Sequence, residues 1–177
     1  QGQRHIPLAK LFPDEARLMT CTAPSKTFNI AGNRHANLII PDETIRRQWN
    51  ARANLGHPGA LTVDATIAAY TQCDGWLEAL KAYLDGSFSM LDKALKERLP
   101  KAVFSVPEGT YLAWINFSKL GLTDAQLNEC ISRAGVFAQF SGSFVHNDTG
   151  CMRLNMASPR QVLAEAIDRI CKALENY

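Results

Sequence analysis

An apolar stripe of unusual length dominates the middle of the chain. Trp76, Leu77, Leu80, Leu84, Phe88, Leu91, Leu95 and Leu99 recur at helical spacing until Pro100, which cannot continue a helix. Such a run predicts one helix longer than the usual globular helix, and therefore a connection between two parts of the molecule. Asp74-Gly75 reads as a break before it. The chain has different characters on the two sides of this helix.

Upstream, the first ten residues form no complete element, and Asp14 to Arg17 is a polar turn. Leu18 to Thr22 alternates as a short strand, and Ala36 to Ile40 reads as a buried one. The polar stretch Ala23 to Asn29 and Gly32 lie between them. Asp42 can cap a helix that places Ile45 and Trp49 on one face. A turn at Gly56 to Gly59 precedes a helical pattern from Thr62 to Gln72. Downstream, Val103 to Val106 and Tyr111 to Phe117 read as strands separated by Pro107-Glu108-Gly109. Thr123 with Gln126 forms a capping box for a helix ending near Ala134. Val136 to Phe140 and Cys151 to Met156 read as strands, with loops at Ser141 to Ser143 and Asn147 to Gly150. Pro159 opens a last helix with Val162, Leu163, Ala166, Ile167, Ile170 and Leu174 facing the core. The fold class is α/β. A chain of 177 residues suits one large domain or two small ones. The expected boundary lies inside the long helix near Gly86, giving residues 1–86 and 87–177. The second unit can bury a core; the first needs strand neighbours that this chain does not contain.

A hydrophobic content of 46% with 20% charged residues is ordinary globular composition and argues against disorder. The net charge of +2 is too small to predict a nucleic-acid or anionic-membrane partner. No apolar run approaches a bilayer span, so no membrane partner is expected. Gln1-Gly2-Gln3-Arg4-His5 has no apolar core and is not a signal peptide. Cys21, Cys73, Cys130, Cys151 and Cys171 are odd in number, widely spaced and without a C-x-x-C pair. Reduced thiols in a cytoplasmic protein fit that pattern better than disulfides or a zinc site, and Cys73 and Cys171 read as packing residues. His5, His35, His57 and His146 show no metal-ligand spacing, and no metal is expected. Tyr111 and Trp114 read as core rather than as a substrate wall.

Lys26 is the most informative single residue. Its loop offers the hydroxyls of Thr22, Ser25 and Thr27, and Arg34 follows eight residues after the lysine. Such a set suits a phosphorylated aldehyde that reaches a lysine amine. Read on spacing alone, a lysine in a polar loop is usually just solvated, and Arg153 is a surface arginine on a strand.

Three segments carry a resemblance that changes this reading. Thr22-Ala23-Pro24-Ser25-Lys26-Thr27-Phe28-Asn29-Ile30-Ala31-Gly32 resembles the cofactor-lysine segment of fold-type I pyridoxal-phosphate enzymes, the class I/II aminotransferase superfamily. Its S-K-T-F-N-x-A-G form resembles in particular the cystathionine β-lyase-like, or carbon–sulfur lyase, branch. Pro107-Glu108-Gly109-Thr110-Tyr111-Leu112-Ala113-Trp114 is similar to that branch's P-x-G-T-Y-L-x-W segment. Gly150-Cys151-Met152-Arg153-Leu154-Asn155-Met156-Ala157-Ser158-Pro159-Arg160 is similar to its G-x-x-R-L-N-x-A-x-P-R segment. The three stand in family order over essentially the whole chain.

The resemblance implies the latter half of such an enzyme: the end of the large cofactor domain and the small C-terminal α/β domain. It implies pyridoxal 5'-phosphate as cofactor, an amino acid as substrate, and a cytoplasmic homodimer. Lys26 would be the catalytic residue, bonded to the cofactor aldehyde and later removing the Cα proton. Thr22 and Ser25 are candidate phosphate ligands, and Arg34 lies where many superfamily members place a phosphate-binding arginine. Arg153 would bind the substrate α-carboxylate through its fork of donors. The implied activity is carbon–sulfur β-elimination giving pyruvate, ammonia and a thiol. Aminotransferase is the alternative, since the same lysine and arginine serve both. A non-enzymatic alternative is the aminotransferase-like domain of a transcriptional regulator. The isolated 177-residue chain is expected to be inactive, because half of the cofactor pocket's family elements lie upstream.

Overall fold

The computed structural model describes residues 4–53, 56–145 and 149–177, so His146 and the first half of the loop expected over Asn147 to Gly150 lie outside the described residues. Two compact units are present, Gly2–Leu80 and Lys81–Tyr177.

In the first unit a single helical turn, α1 (Leu8–Leu11), occurs where no element is expected from the sequence. Strand β1 (Thr20–Thr22) pairs antiparallel with β2 (Asn37–Ile39), with Thr20 opposite Ile39 and Thr22 opposite Asn37. Helix α2 (Glu43–Arg52) starts at Asp42, whose carboxylate accepts the Ile45 N–H at 2.8 Å. Helix α3 (Ala60–Gln72) follows Gly59. The long helix α4 spans Asp74–Arg98. Asp74-Gly75 is therefore not a break but its first turn, and Cys73 alone separates α3 from α4. An aspartate is favoured there because it meets unpaired N–H groups at the positive end of the helix. Burial in this unit is sparse. Pro24, Ile40 and Ala69 are enclosed, while Ile39, Leu61 and Ile67 are exposed, Leu61 by 83%.

The second unit is built on a four-stranded antiparallel sheet in the order β3 (Val103–Phe104), β4 (Leu112–Asn116), β6 (Cys151–Asn155), β5 (Gln139–Phe140). Strand alternation sends Ala113 and Ile115 of β4, and Met152 and Leu154 of β6, into the core. Buried faces of three helices complete that core: Leu91 and Leu95 of α4, Leu127 and Ile131 of α5 (Asp124–Arg133), and Leu163, Ile167, Ile170 and Leu174 of α6 (Arg160–Leu174). The capping box at the start of α5 is present, the Thr123 hydroxyl accepting the Gln126 N–H at 3.3 Å and the Gln126 side chain accepting the Thr123 N–H at 2.9 Å. Arg98 near the end of α4 pairs with Asp168 at 2.8 Å and Glu175 at 3.2 Å. Hydrogen bonds from Lys172 and Arg98 hold the Asp168 carboxyl below the usual carboxylate range.

Two expectations about packing are corrected. Val162, expected to face the core, is 58% exposed. The buried positions of α6 are 163, 167, 170, 171 and 174, and Val162 lies about 100° round the helix from Leu163, on the shoulder of the stripe. The strand expected over 136–140 is confined to Gln139–Phe140, with Val136 buried ahead of it and Phe137 in solvent. Gly150 occupies the left-handed region at φ 79°, and a Cβ there would stand 2.9 Å from the Ser118 Cα.

Three outcomes follow from this packing. Leu91→Ala lowers unfolding free energy by about 2–5 kcal/mol, read from the urea midpoint at constant slope. Gly150→Ala also lowers the midpoint, since it adds left-handed strain to a backbone clash. Burial pushes the Cys171 thiol up from its ordinary value, so iodoacetamide at neutral pH leaves Cys171 unmodified until the chain is denatured, as read by peptide mass spectrometry.

Candidate active site

The connection between β1 and β2 carries the sequence-expected residues Thr22, Ser25, Lys26 and Arg34. Lys26 sits in a closed turn: the Phe28 N–H donates to the Pro24 carbonyl and the Ile30 N–H to the Ser25 carbonyl, both at 3.0 Å. The turn has two anchors. Pro24 is buried on one side. On the other, the Phe28 ring meets Tyr70 of α3 edge-on at 5.5 Å and lies 6.3 Å from Trp76 of α4. Asn29 completes the reversal at φ 54°, a conformation that asparagine tolerates better than most residues.

Arg34 follows a short helical turn at Ala31–Asn33 and is itself left-handed, at φ 48°. The Thr62 hydroxyl of α3 donates to the Asn33 carbonyl at 3.1 Å and holds this corner. Arg34, His35 and His57 line a cleft of about 890 Å³ with no aspartate or glutamate in its lining among the described residues. Lys26 and Arg34 are exposed, and neither has an ion pair or hydrogen bond to another side chain among the described residues. The structure thus brings a solvent-accessible amine, two hydroxyls and a guanidinium onto one connection, closed at its base by the Thr22–Asn37 pairing. Such a set can receive an anion and leave a primary amine beside it.

Arg153 belongs to the second unit. It lies at the centre of β6, opposite Trp114 on β4 and Gln139 on β5. Because Met152 and Leu154 point inward, Arg153 stands on the outer face of the sheet. Its Nη2 donates to the Gln139 side-chain carbonyl oxygen. Its Cζ lies 4.6 Å from the centroid of the Phe144 ring, which meets Trp114 edge-on at 5.1 Å. Trp114 is therefore not a core residue: it is 38% exposed, displaced outward because Ala113 and Ile115 hold the inner positions of β4.

Gln139 and Phe144 were not candidates from the sequence. Their closeness to Arg153 depends on the β5–β6 register and on the turn after β5, and no local spacing reveals either.

Comparison with known proteins places this arrangement. The sequence model of the family described as aminotransferase class I and II matches residues 3–170. Cystathionine beta-lyase PatB of Bacillus subtilis is 36% identical over 178 residues, covering 98% of this chain and 46% of PatB. Among solved structures, the PLP-bound C–S lyase of Staphylococcus hominis, complexed with L-cycloserine, is 41% identical with a TM-score of 0.90, covering 98% of this chain and 43% of that one. Cystalysin of Treponema denticola, whose structure contains pyridoxal 5'-phosphate, is 30% identical with a TM-score of 0.92, covering 99% of this chain and 46% of that one. The chain spans about half the length of the curated relatives it matches. The fold expected from the sequence, the latter part of a fold-type I enzyme, is borne out by these superpositions. With a family match over most of its length and a fold shared with solved relatives, the chain belongs to the aminotransferase class I and II family.

Proposed function

We propose that the parent enzyme is a pyridoxal-phosphate-dependent carbon–sulfur β-lyase that releases a thiol, pyruvate and ammonia from a sulfur-containing amino acid. The observation that carries this reading is the Lys26 turn, an exposed amine with no side-chain partner among the described residues, on a connection that also carries hydroxyls and Arg34, in a chain whose relatives include C–S lyases. The donor set fits the cofactor. Thr22, Ser25 and Arg34 supply donors for its phosphate, and among the described residues no carboxylate lines the cleft beside Arg34 and no side chain pairs with the Lys26 amine.

When bound, the cofactor ring withdraws electrons from the substrate Cα, making the proton there removable. The rest of the task falls to residues of this chain. Lys26 Nζ takes the Cα proton and delivers it to the sulfur leaving Cβ; the Cα–H and Cβ–S bonds break as the Cα–Cβ double bond forms, and one water then hydrolyses the released aminoacrylate to pyruvate and ammonia. Arg153 holds the substrate α-carboxylate by charge-assisted hydrogen bonds, so that the Cα–H bond keeps one orientation. The anchors at Pro24 and Phe28 keep the lysine turn in place while its long side chain moves.

The reading extends to the assembly. Residues up to Gly86 complete a cofactor domain and the remainder forms a small domain. Exposed apolar side chains such as Leu61 and Ile67 supply surface for the rest of the parent enzyme and a second subunit to cover. Five free thiols fit a reducing cytoplasm, and among the described residues no helix is long and apolar enough to cross a membrane.

The full-length enzyme is expected to release pyruvate from L-cystathionine with no added keto acid; strict dependence on a keto acceptor would make it an aminotransferase instead. Lys26→Ala lowers the elimination rate by about 10²–10⁴-fold. Borohydride reduction of the pyridoxal-phosphate-loaded protein leaves a single adduct, located by mass spectrometry at Lys26. Labelling spread evenly over other lysines would sink that assignment.

A further inference from the structure

We propose that Phe144 is a positioning residue for Arg153, holding the guanidinium plane so that its in-plane donors face the substrate carboxylate. The proposal rests on the reading of Arg153 as the carboxylate binder. An arginine on the outer face of a strand has a long, freely rotating side chain, and freezing it at the moment of binding weakens affinity. Here it is ordered beforehand. The Gln139 oxygen takes one hydrogen of Nη2, which fixes one end of the fork but leaves the plane free to turn about that bond. The Phe144 ring, with its centroid 4.6 Å from Cζ, removes that freedom. With Cζ over the ring face, the contact is a cation–π one and takes the place of no hydrogen bond of the guanidinium. The remaining donors stay available to a carboxylate.

The ring is itself held from two directions. Trp114 meets it edge-on at 5.1 Å, and Trp114 stands opposite Arg153 in the sheet. From the chain side, Phe144 follows the turn Ser141–Ser143, and its N–H donates to the Ser141 carbonyl at 2.9 Å. Ser141 is buried, and its hydroxyl accepts the Cys151 N–H at 2.8 Å. The same hydroxyl oxygen lies 3.0 Å from the Cys151 carbonyl and 3.2 Å from the Asp124 carboxylate, either of which can accept its one hydrogen. Asp124 also accepts the Gly150 N–H at 2.5 Å. Cys151 and Arg153 share one strand, so this latch references the ring and the guanidinium to the same piece of backbone.

The test uses the full-length holoenzyme and steady-state kinetics with the amino-acid substrate. Phe144→Leu is expected to raise KM about tenfold with kcat within about twofold, while bound-cofactor absorbance and the thermal midpoint stay at wild-type values. Phe144→Tyr, which keeps the ring, brings KM back near wild type. In an Arg153→Lys background, which raises KM by itself, Phe144→Leu adds nothing further. If Arg153→Lys raises KM but Phe144→Leu does not, the positioning role is wrong and the carboxylate role of Arg153 stands. If Arg153→Lys leaves KM unchanged, both fall. A Phe144→Leu enzyme that loses cofactor or thermal stability, a Phe144→Tyr enzyme as impaired as Phe144→Leu, or additive effects in the double variant would each overturn the positioning role.

Discussion

Met152 and Leu154 are buried on one face of β6, and the residue between them has nowhere to go but the other face. That alternation over residues 152–154, repeated by Ala113 and Ile115 on the neighbouring β4, organises the second unit. It supplies the apolar floor on which the stripes of α4, α5 and α6 pack. It also builds the opposite, polar-edged face where Trp114, Arg153 and Gln139 stand in one cross-strand row. A shift of register by one residue would bury the arginine and expose both methionine and leucine, so core packing and site geometry are specified together.

The first unit works by a different rule. It encloses few apolar side chains, and it presents a polar turn at the end of a two-stranded ribbon. The anchors are apolar, Pro24 and Phe28, while Ser25, Lys26 and Thr27 between them carry polar side chains. A lysine whose amine met a carboxylate would be a salt bridge and chemically spent; Lys26 has no such partner among the described residues. Availability, rather than an unusual environment, is what marks it out.

Much of this was legible in the residues themselves. The stripe from Trp76 to Leu99 and the Thr123–Gln126 box are local patterns, and local patterns survive folding when nothing tertiary opposes them. Asp74-Gly75 misled because a glycine near a helix start is tolerated in the first turn, where Asp74 meets free N–H groups. Val162 misled because a stripe three residues wide has shoulders, and which shoulder is covered depends on the neighbouring element. Trp114 reads as core from the sequence, yet strand parity puts the small Ala113 inside and the large ring outside.

The candidate residues Lys26, Thr22, Ser25, Arg34 and Arg153 come from continuous segments, where order along the chain is itself the signal. The sequence alone determined the residue types, the elements that carry them and the family. The row joining Trp114, Arg153 and Gln139, the ring of Phe144 over the guanidinium, and the latch from Asp124 through Ser141 to Cys151 were decided only by the tertiary structure. These contacts join residues far apart in the chain. Strand register and turn geometry bring them together, and both emerge only when the shared core has formed.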